Sequence, residues 1–159
     1  MITYKTMELT DIPQLARLYV ETFNAPPWND GWTEETAGRR LHQMIHVEDF
    51  YGLCVYEDGV LCGMILGCME QYYDRMNFSI REFCVSNQKR GQGLGTKIFR
   101  YFEEQLKEKG VDTVLLYTLR APSTMGFYEK QEMEEAEELV LMRKNVRVSL
   151  EGGNENESV

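Results

Sequence analysis

Apolar residues recur along this chain with two different periods, and the changes of period divide it into helices and strands. The first helix-spaced apolar stripe consists of Leu15, Leu18, Tyr19, Thr22 and Phe23. Thr10 or Asp11 can cap this helix and Pro13 lies in its first turn. The helix must end by Ala25, because prolines follow at the next two positions.

Three more helices are predicted in the same way. Thr33 is a suitable cap for the second, whose apolar face is Ala37, Leu41, Met44 and Ile45. The third ends at Gly110, and its predicted face is Leu94, Ile98, Tyr101, Phe102 and Leu106. A short fourth helix is expected within residues 120–130, after Pro122.

Period-two patterns predict strands at residues 2–6, 50–57, 60–70, 78–85, 111–119 and 139–142. Asp58-Gly59 is a hairpin signal between the second and third of these. That turn places Cys54 opposite Gly63 and Cys62 opposite Val55, so that the two thiols point to opposite faces. Gly63 and Gly67 predict a bulge or a close backbone approach.

Composition narrows the class of protein. At 159 residues the chain is expected to form one domain, and its net charge of −9 argues against nucleic-acid binding. There is no apolar run long enough to span a membrane and no signal-peptide pattern at the start. Four cysteines without a Cys-x-x-Cys pair favour reduced thiols in the cytoplasm, and His42 and His46 have no evident third ligand, so no metal is expected.

The stretch from Gln88 to Thr96 joins a predicted strand to the third helix and holds glycines at 91, 93 and 95. Bare backbone at a helix N-terminus is an anion site suited to a phosphate or pyrophosphate. The spacing is neither that of a mononucleotide P-loop nor that of a dinucleotide fingerprint. An ordinary glycine-rich connection is the alternative.

Arg90, Gly93 and Gly95 form Arg-x-x-Gly-x-Gly, which resembles the acetyl-coenzyme A signature of the GCN5-related N-acetyltransferases. Residues 127–130, Phe-Tyr-Glu-Lys, are similar to that family's Phe-Tyr-x-Lys. The loop at 23–29, Phe-Asn-Ala-Pro-Pro-Trp-Asn, resembles an aminoglycoside-acetyltransferase-like subgroup. One departure stands at Glu132 and Met133, where the family has Gly-Phe, and glutamate resists the positive φ that glycine allows there.

The resemblance implies an α/β fold: a central mixed, mostly antiparallel sheet of six to seven strands flanked by about four helices. The domain is expected to cover residues 1–145. Residues 146–159 would form an extension, disordered from about residue 151. The family also implies acetyl-coenzyme A as co-substrate, with binding residues Phe83, Val85, Arg90, Gly91, Gln92, Gly93, Leu94, Gly95 and Thr96.

Site roles follow from the same resemblance. Tyr128 would protonate the leaving thiolate, and the Val85 N–H would face the oxyanion. Glu82 is the candidate base; its alternation places it on an apolar face with Ile80 and Cys84, and a structural ion pair is its alternative role. Glu70 and Asp74 are reserves for that role, and Cys84 lacks a histidine that would make it a nucleophile.

Trp28, Glu70 and Tyr73 are the candidate acceptor-binding residues, although both tryptophans of the 23–32 loop could instead fold back onto the core. The implied activity is transfer of an acetyl group to a primary amine of a small molecule or peptide by direct attack in a ternary complex. The alternatives are a non-catalytic coenzyme A-binding regulatory module and, last, a phosphate-binding α/β protein of another family. The resemblance leaves the acceptor and a homodimer open.

Overall fold

The computed structural model describes residues 1–147, in which helices cover both faces of one five-stranded sheet. The strands are β1 (Ile2–Thr6), β2 (Phe50–Glu57), β3 (Val60–Gln71), β4 (Met76–Val85) and β5 (Thr113–Leu115), in that spatial order. The helices are α1 (Ile12–Phe23), α2 (Glu34–Ile45), α3 (Leu94–Glu108) and α4 (Pro122–Lys130). Neighbouring strands are antiparallel except β4 and β5, which are parallel.

The predicted helices are confirmed, but one residue of the predicted buried face of α3 is wrong. All five members of the α1 stripe are buried, and α2 is capped by the Thr33 hydroxyl, which accepts from the Thr36 N–H. On α3, however, Phe99 is buried while Tyr101 is 38% exposed and stacks on Tyr4. None of the helices within residues 1–147 is long and apolar enough to cross a membrane.

Each face of the sheet carries its own core. α1 and α2 pack on one face around Tyr19, Leu41 and Met64, and α3 packs on the other around Ile65, Ile98 and Phe102. The mixed α/β fold that the sequence predicts is therefore confirmed, with five strands in the described part of the chain rather than six or seven.

The hairpin turn at Asp58-Gly59 is confirmed, but its register differs from the prediction. Both turn residues have positive φ, as a type I′ turn requires. A bulge then pairs Val55 with Gly63 and leaves Cys62 unpaired, so that Cys54 lies opposite Met64. The two thiols still belong to the cores on opposite faces, and all four cysteines are free.

A second bulge, at Arg81, redirects β4. Leu66 pairs with Glu82 and Gly67 with Ile80, so that Arg81 has no partner on β3. A Cβ at Gly67 would collide with the carbonyl of Ser79, which explains why glycine stands at this close approach. The expectation that Glu82 shares a face with Ile80 is wrong for this reason: Ile80 joins the α3 core while Cys84 joins the α1 core.

The fifth strand is shorter than predicted, and the sixth is not found within residues 1–147. β5 pairs with β4 only from Asn77 to Ser79, after which the two strands separate. The segment Leu139–Met142 is not a strand, and its four side chains are 65–85% exposed. A strand needs a partner edge, and a three-residue β5 provides almost none. The predicted disorder from residue 151 falls outside the described residues.

Candidate active site

The separation of β4 from β5 leaves the C-terminal half of β4 with one free edge. The Ser86 N–H donates to Cys62 O of β3 at 2.8 Å. Successive N–H groups of a strand point to opposite edges, so the backbone groups of Phe83 and Val85 point away from β3, into the gap. This gap can receive an extended ligand that pairs with the strand.

The glycine turn lies at the end of that free edge and leads into α3. Gly93 has φ 77°, the left-handed region, and no side chain caps the helix. A Cβ at Gly91 or Gly93 would meet no atom within 4 Å, so the turn is open. The N–H groups of Leu94, Gly95 and Thr96 begin the helix and have no intrahelical acceptor. The geometry is that of an anion site at a helix N-terminus.

Two other residues of the signature have protein partners. Arg90 stacks on Trp28 with its guanidinium carbon 4.9 Å from the ring centre, and it donates to Pro26 O at 3.3 Å. Thr96 Oγ1 accepts from Gln131 of the segment after α4 at 3.0 Å. Arg90 therefore ties the glycine turn to the 23–32 loop, and Thr96 ties α3 to α4.

Tyr128 is held beside the gap by aromatic contacts. Phe127 and Phe99 lie 5.1 and 6.1 Å from its ring, and Phe83 of β4 lies 5.7 Å from Phe127. A Cβ at Gly95 would approach the Phe127 ring to 3.2 Å, so this third glycine makes room for α4. The same cluster thus joins the free strand, the glycine turn and Tyr128.

The Tyr128 hydroxyl is poised as a donor. Burial, with the charge of Glu82 added, raises the pKa of Tyr128 to about 12. The phenol is therefore protonated at neutral pH. Within residues 1–147 its hydroxyl has no hydrogen-bond partner, although the side chain is half-buried.

Glu82 lies on the α1/α2 face of β4 and is engaged by two donors. The Arg40 Nε donates to its Oε1 at 2.6 Å, and the Tyr19 hydroxyl donates to the same oxygen at 2.8 Å. The Glu82 side chain is 10% exposed and that of Arg40 is 40% exposed. No hydrogen bond to Oε2 is found among the described residues, so one oxygen of this largely buried carboxylate is left for another group.

The candidate acceptor residues do not converge. A cavity of about 260 Å³ lies between α2 and strands β3 and β4, and its lining includes Arg40, Glu70 and Arg81. Trp28 packs instead on Phe23 and the α1 core, as the alternative for the loop expects. Tyr73 is 87% exposed in the loop after β3. Of the three candidates, only Glu70 lines the cavity.

Three residues of the site, Tyr19, Arg40 and Arg81, are not predicted from the sequence. Tyr19 belongs to the apolar stripe of α1, although its hydroxyl needs a partner when buried. Arg40 lies three residues after Ala37, at the border of the buried face of α2. A charged residue at that position signals an ion pair across the core. Arg81 is brought to the cavity by the bulge beside Gly67; this glycine predicts a bulge or a close backbone approach, but not which residue of β4 loses its partner.

The Cys84 thiol is not a nucleophile at neutral pH. Burial, and then the charge of Glu82, raise the pKa of Cys84 to about 12, so its nucleophilic thiolate is not populated at neutral pH. Within residues 1–147 no group of three or more His, Cys, Asp or Glu side chains is arranged to hold a metal ion.

Fold and site together define a protein with a split sheet beside a glycine-rich helix N-terminus. The chain belongs to the acetyltransferase (GNAT) family, whose model matches residues 12–133, and the recognition made from Arg90, Gly93 and Gly95 is confirmed. A possible acetyltransferase from Clostridium difficile 630 superposes with a TM-score of 0.78 at 12% identity, covering 92% of this chain and 99% of that one.

Two further similar proteins have names that state an activity more specifically. An aminoglycoside acetyltransferase from an uncultured soil metagenomic sample, solved with sisomicin, superposes with a TM-score of 0.71 at 17% identity, covering 92% of this chain and 97% of that one. A probable N-acetyltransferase 14 of Xenopus tropicalis is 28% identical over 78 residues, 48% of this chain. The match spans only 37% of that relative's length.

Proposed function

We propose that the protein transfers the acetyl group of acetyl-coenzyme A to a primary amine, by direct attack of the amine on the thioester in a ternary complex. The observation that carries this is the unpartnered Tyr128 hydroxyl, held by an aromatic cluster beside the free edge of β4. The ring packs against Phe99 and Phe127, but among the described residues the hydroxyl has no hydrogen-bond partner, which supports a role for it outside the packing of the core.

The free edge and the glycine turn fit the co-substrate. The pantetheine arm would pair with the backbone of Phe83 and Val85 as an added strand. Its pyrophosphate would accept hydrogen bonds from the first N–H groups of α3, with Gly91, Gln92 and Gly93 as the turn and Arg90 as a nearby cation. Leu94 is buried and anchors the helix that presents these groups.

Catalysis then needs few side chains, because the thioester is already activated. Holding the amine against it is the largest requirement. The Val85 N–H would donate to the developing oxyanion, and the protonated Tyr128 to the departing sulfur. Glu82 would take a proton from the ammonium through its unoccupied Oε2, directly or through water. Its pairing with Arg40 and Tyr19 holds it at a fixed position.

The acceptor is a small-molecule or peptide amine in this proposal. One structural relative is named an aminoglycoside acetyltransferase and the Xenopus tropicalis relative a probable N-acetyltransferase, and these names support acetyl transfer to nitrogen as the reaction class. Buried reduced thiols support a cytoplasmic setting. A homodimer, common in the family, stays a prediction that light scattering would test.

The test is release of free coenzyme A from acetyl-coenzyme A in the presence of a panel of primary amines, with the acetylated product identified by mass spectrometry. Thermal midpoints are measured alongside, since a ligand bound only by the folded state raises them. We expect a midpoint shift with coenzyme A and amine-dependent turnover. A shift without turnover on any amine would establish the regulatory module instead, and absence of a shift would refute the coenzyme site.

A further inference from the structure

The cavity beside Glu82 is lined by two guanidinium groups, although the chain has a net charge of −9. Arg40 and Arg81 face one carboxylate of the lining, Glu70, and Arg40 is also paired with Glu82. Arg81 is therefore the guanidinium of the cavity that forms no salt bridge within residues 1–147, and such a group favours a ligand with negative charge.

Both arginines have donors to offer. Arg40 uses its Nε for Glu82, lies beside the Tyr19 hydroxyl and has its guanidinium carbon 5.8 Å from the centre of the Trp32 ring, so part of its donor fork is already engaged. Arg81 is exposed, and it forms no salt bridge within residues 1–147. Guanidinium groups so placed suit the bidentate recognition of a carboxylate or a phosphate.

The cavity adjoins the proposed reaction centre. Arg40 lines the cavity and also contacts Glu82 at 2.6 Å, and Glu82 directly precedes Phe83, whose backbone faces the gap between β4 and β5. A ligand whose anionic end lies between the arginines therefore extends toward Glu82. Its amine would then reach the carboxylate oxygen that Arg40 and Tyr19 leave unoccupied.

Size and charge together favour a small acceptor over a polycation. About 260 Å³ is below the usual range for drug-sized ligands, so a multi-ring aminoglycoside would extend beyond this cavity. A polyamine would place ammonium groups against the two guanidiniums, which is a like-charge contact. Neither class of polycation matches this lining.

We propose that the acceptor is a small primary amine that carries an anionic group, a carboxylate or a phosphate, bound by Arg40 and Arg81. This rests on the proposed function and specifies its substrate class. The lining of the cavity, and not the net charge of −9, determines this preference.

Matched amine pairs test this with acetyl-coenzyme A and the intact chain. L-Alanine is compared with L-alaninamide, 2-aminoethyl phosphate with 2-aminoethanol, and spermidine serves as the polycation. We expect kcat/KM about tenfold or more higher for the anionic member of one pair, as for a charge-assisted hydrogen bond. Which pair responds distinguishes a carboxylate from a phosphate.

Arg81→Gln is the matching variant, because the exposed side chain can be replaced without disturbing the core. It should raise KM for the anionic amine about tenfold and leave its uncharged partner unchanged. Arg100→Gln removes the same charge from the solvent face of α3 and should preserve the preference.

Equal or better turnover of the uncharged amines or of spermidine would overturn the anionic acceptor alone. An anionic preference that survives Arg81→Gln would overturn its assignment to this cavity. Absence of turnover with every amine would refute the proposed function and this inference with it.

Discussion

Two single residues, Glu132 and Gly95, determine how α4 is placed. Glu132 adopts φ 64°, the left-handed conformation that the family's glycine would take without strain, so the turn is kept despite the substitution. Gly95 lies in α3 and has no side chain, which leaves room for the Phe127 ring of α4. Both positions therefore determine where α4 holds its tyrosine.

Glu132→Gly should stabilise the protein by up to about 1 kcal/mol, because relief of the left-handed strain exceeds the entropy that glycine adds to the unfolded chain. Glu134→Gly is the control: it too is an exposed glutamate after α4, but its φ is not positive, so only the entropic loss remains. Urea unfolding measures both. A loss of stability in Glu132→Gly equal to that of the control would contradict the strain argument.

Gly95→Ala should change activity more than stability. The added methyl group meets the Phe127 ring at 3.2 Å and displaces the neighbouring Tyr128, while alanine gains about 1 kcal/mol of helix propensity. We expect kcat to fall about tenfold, as for a small misplacement of a catalytic group. Gly38→Ala in α2, where the added methyl makes an ordinary contact, should leave kcat unchanged; an equal fall in both variants would refute the positional role.

At the scale of elements, the start of α1 depends on a buried carboxylate. Asp11 accepts hydrogen bonds from Lys5 Nζ at 2.7 Å and from the Glu8 N–H at 2.8 Å. Burial is the largest single influence on its pKa and acts to raise it, but the hydrogen bonds and the charge of Lys5 outweigh burial and lower the pKa. This carboxylate thus joins β1, the following turn and α1.

Asp11→Asn should destabilise the protein at pH 7 by about 1–3 kcal/mol, the cost of losing a charged hydrogen-bond partner. The pKa of Asp11 is lower in the folded protein than in the unfolded chain, where it is near 3.9. The stability that Asp11 contributes is therefore complete above the unfolded-state pKa and is lost as the pH falls through the folded-state pKa. The gap between wild type and Asp11→Asn should therefore narrow between pH 5 and pH 3. Asp74→Asn, at an exposed aspartate, is the control, and a gap that is constant with pH would contradict the assignment.

Much of the element order could be predicted because local patterns determine it. The apolar stripe of α1, the Thr33 cap and the Asp58-Gly59 turn each act within a few residues, and each is confirmed. The glycine turn was recognised for the same reason. These signals depend on backbone preference and periodicity, which the sequence carries directly.

The remaining features depend on contacts between distant residues. A bulge at Cys62 shifted the hairpin register, and another at Arg81 moved Ile80 to the opposite face from Cys84. The Arg40–Glu82 pair joins residues 42 positions apart. The segment Leu139–Met142 has the composition of a strand but lacks a paired edge within residues 1–147, so composition alone misassigned it.

For the whole molecule, the two faces of the sheet carry different parts of the proposed reaction. The α3/α4 face supplies the glycine turn and Tyr128, and the α1/α2 face supplies Glu82, Arg40 and the cavity. The gap where β4 separates from β5 joins the two faces, and in the proposed reaction an amine from one face would meet a thioester from the other there. Burial, with the charge of Glu82 added, raises the pKa of Tyr128, so a carboxylate on one face influences a phenol on the other.

The most direct test of this account is kcat of Tyr128→Phe with saturating acetyl-coenzyme A and the best amine of the panel. Tyr101→Phe, at a stacked tyrosine on the solvent side of α3, is the matched control. Since the Tyr128 hydroxyl has no protein partner within residues 1–147, Tyr128→Phe should have the same thermal midpoint and the same affinity for the coenzyme as wild type. We predict that kcat falls about 10²-fold or more in Tyr128→Phe alone, as for loss of a general acid. An unchanged kcat in Tyr128→Phe would contradict it.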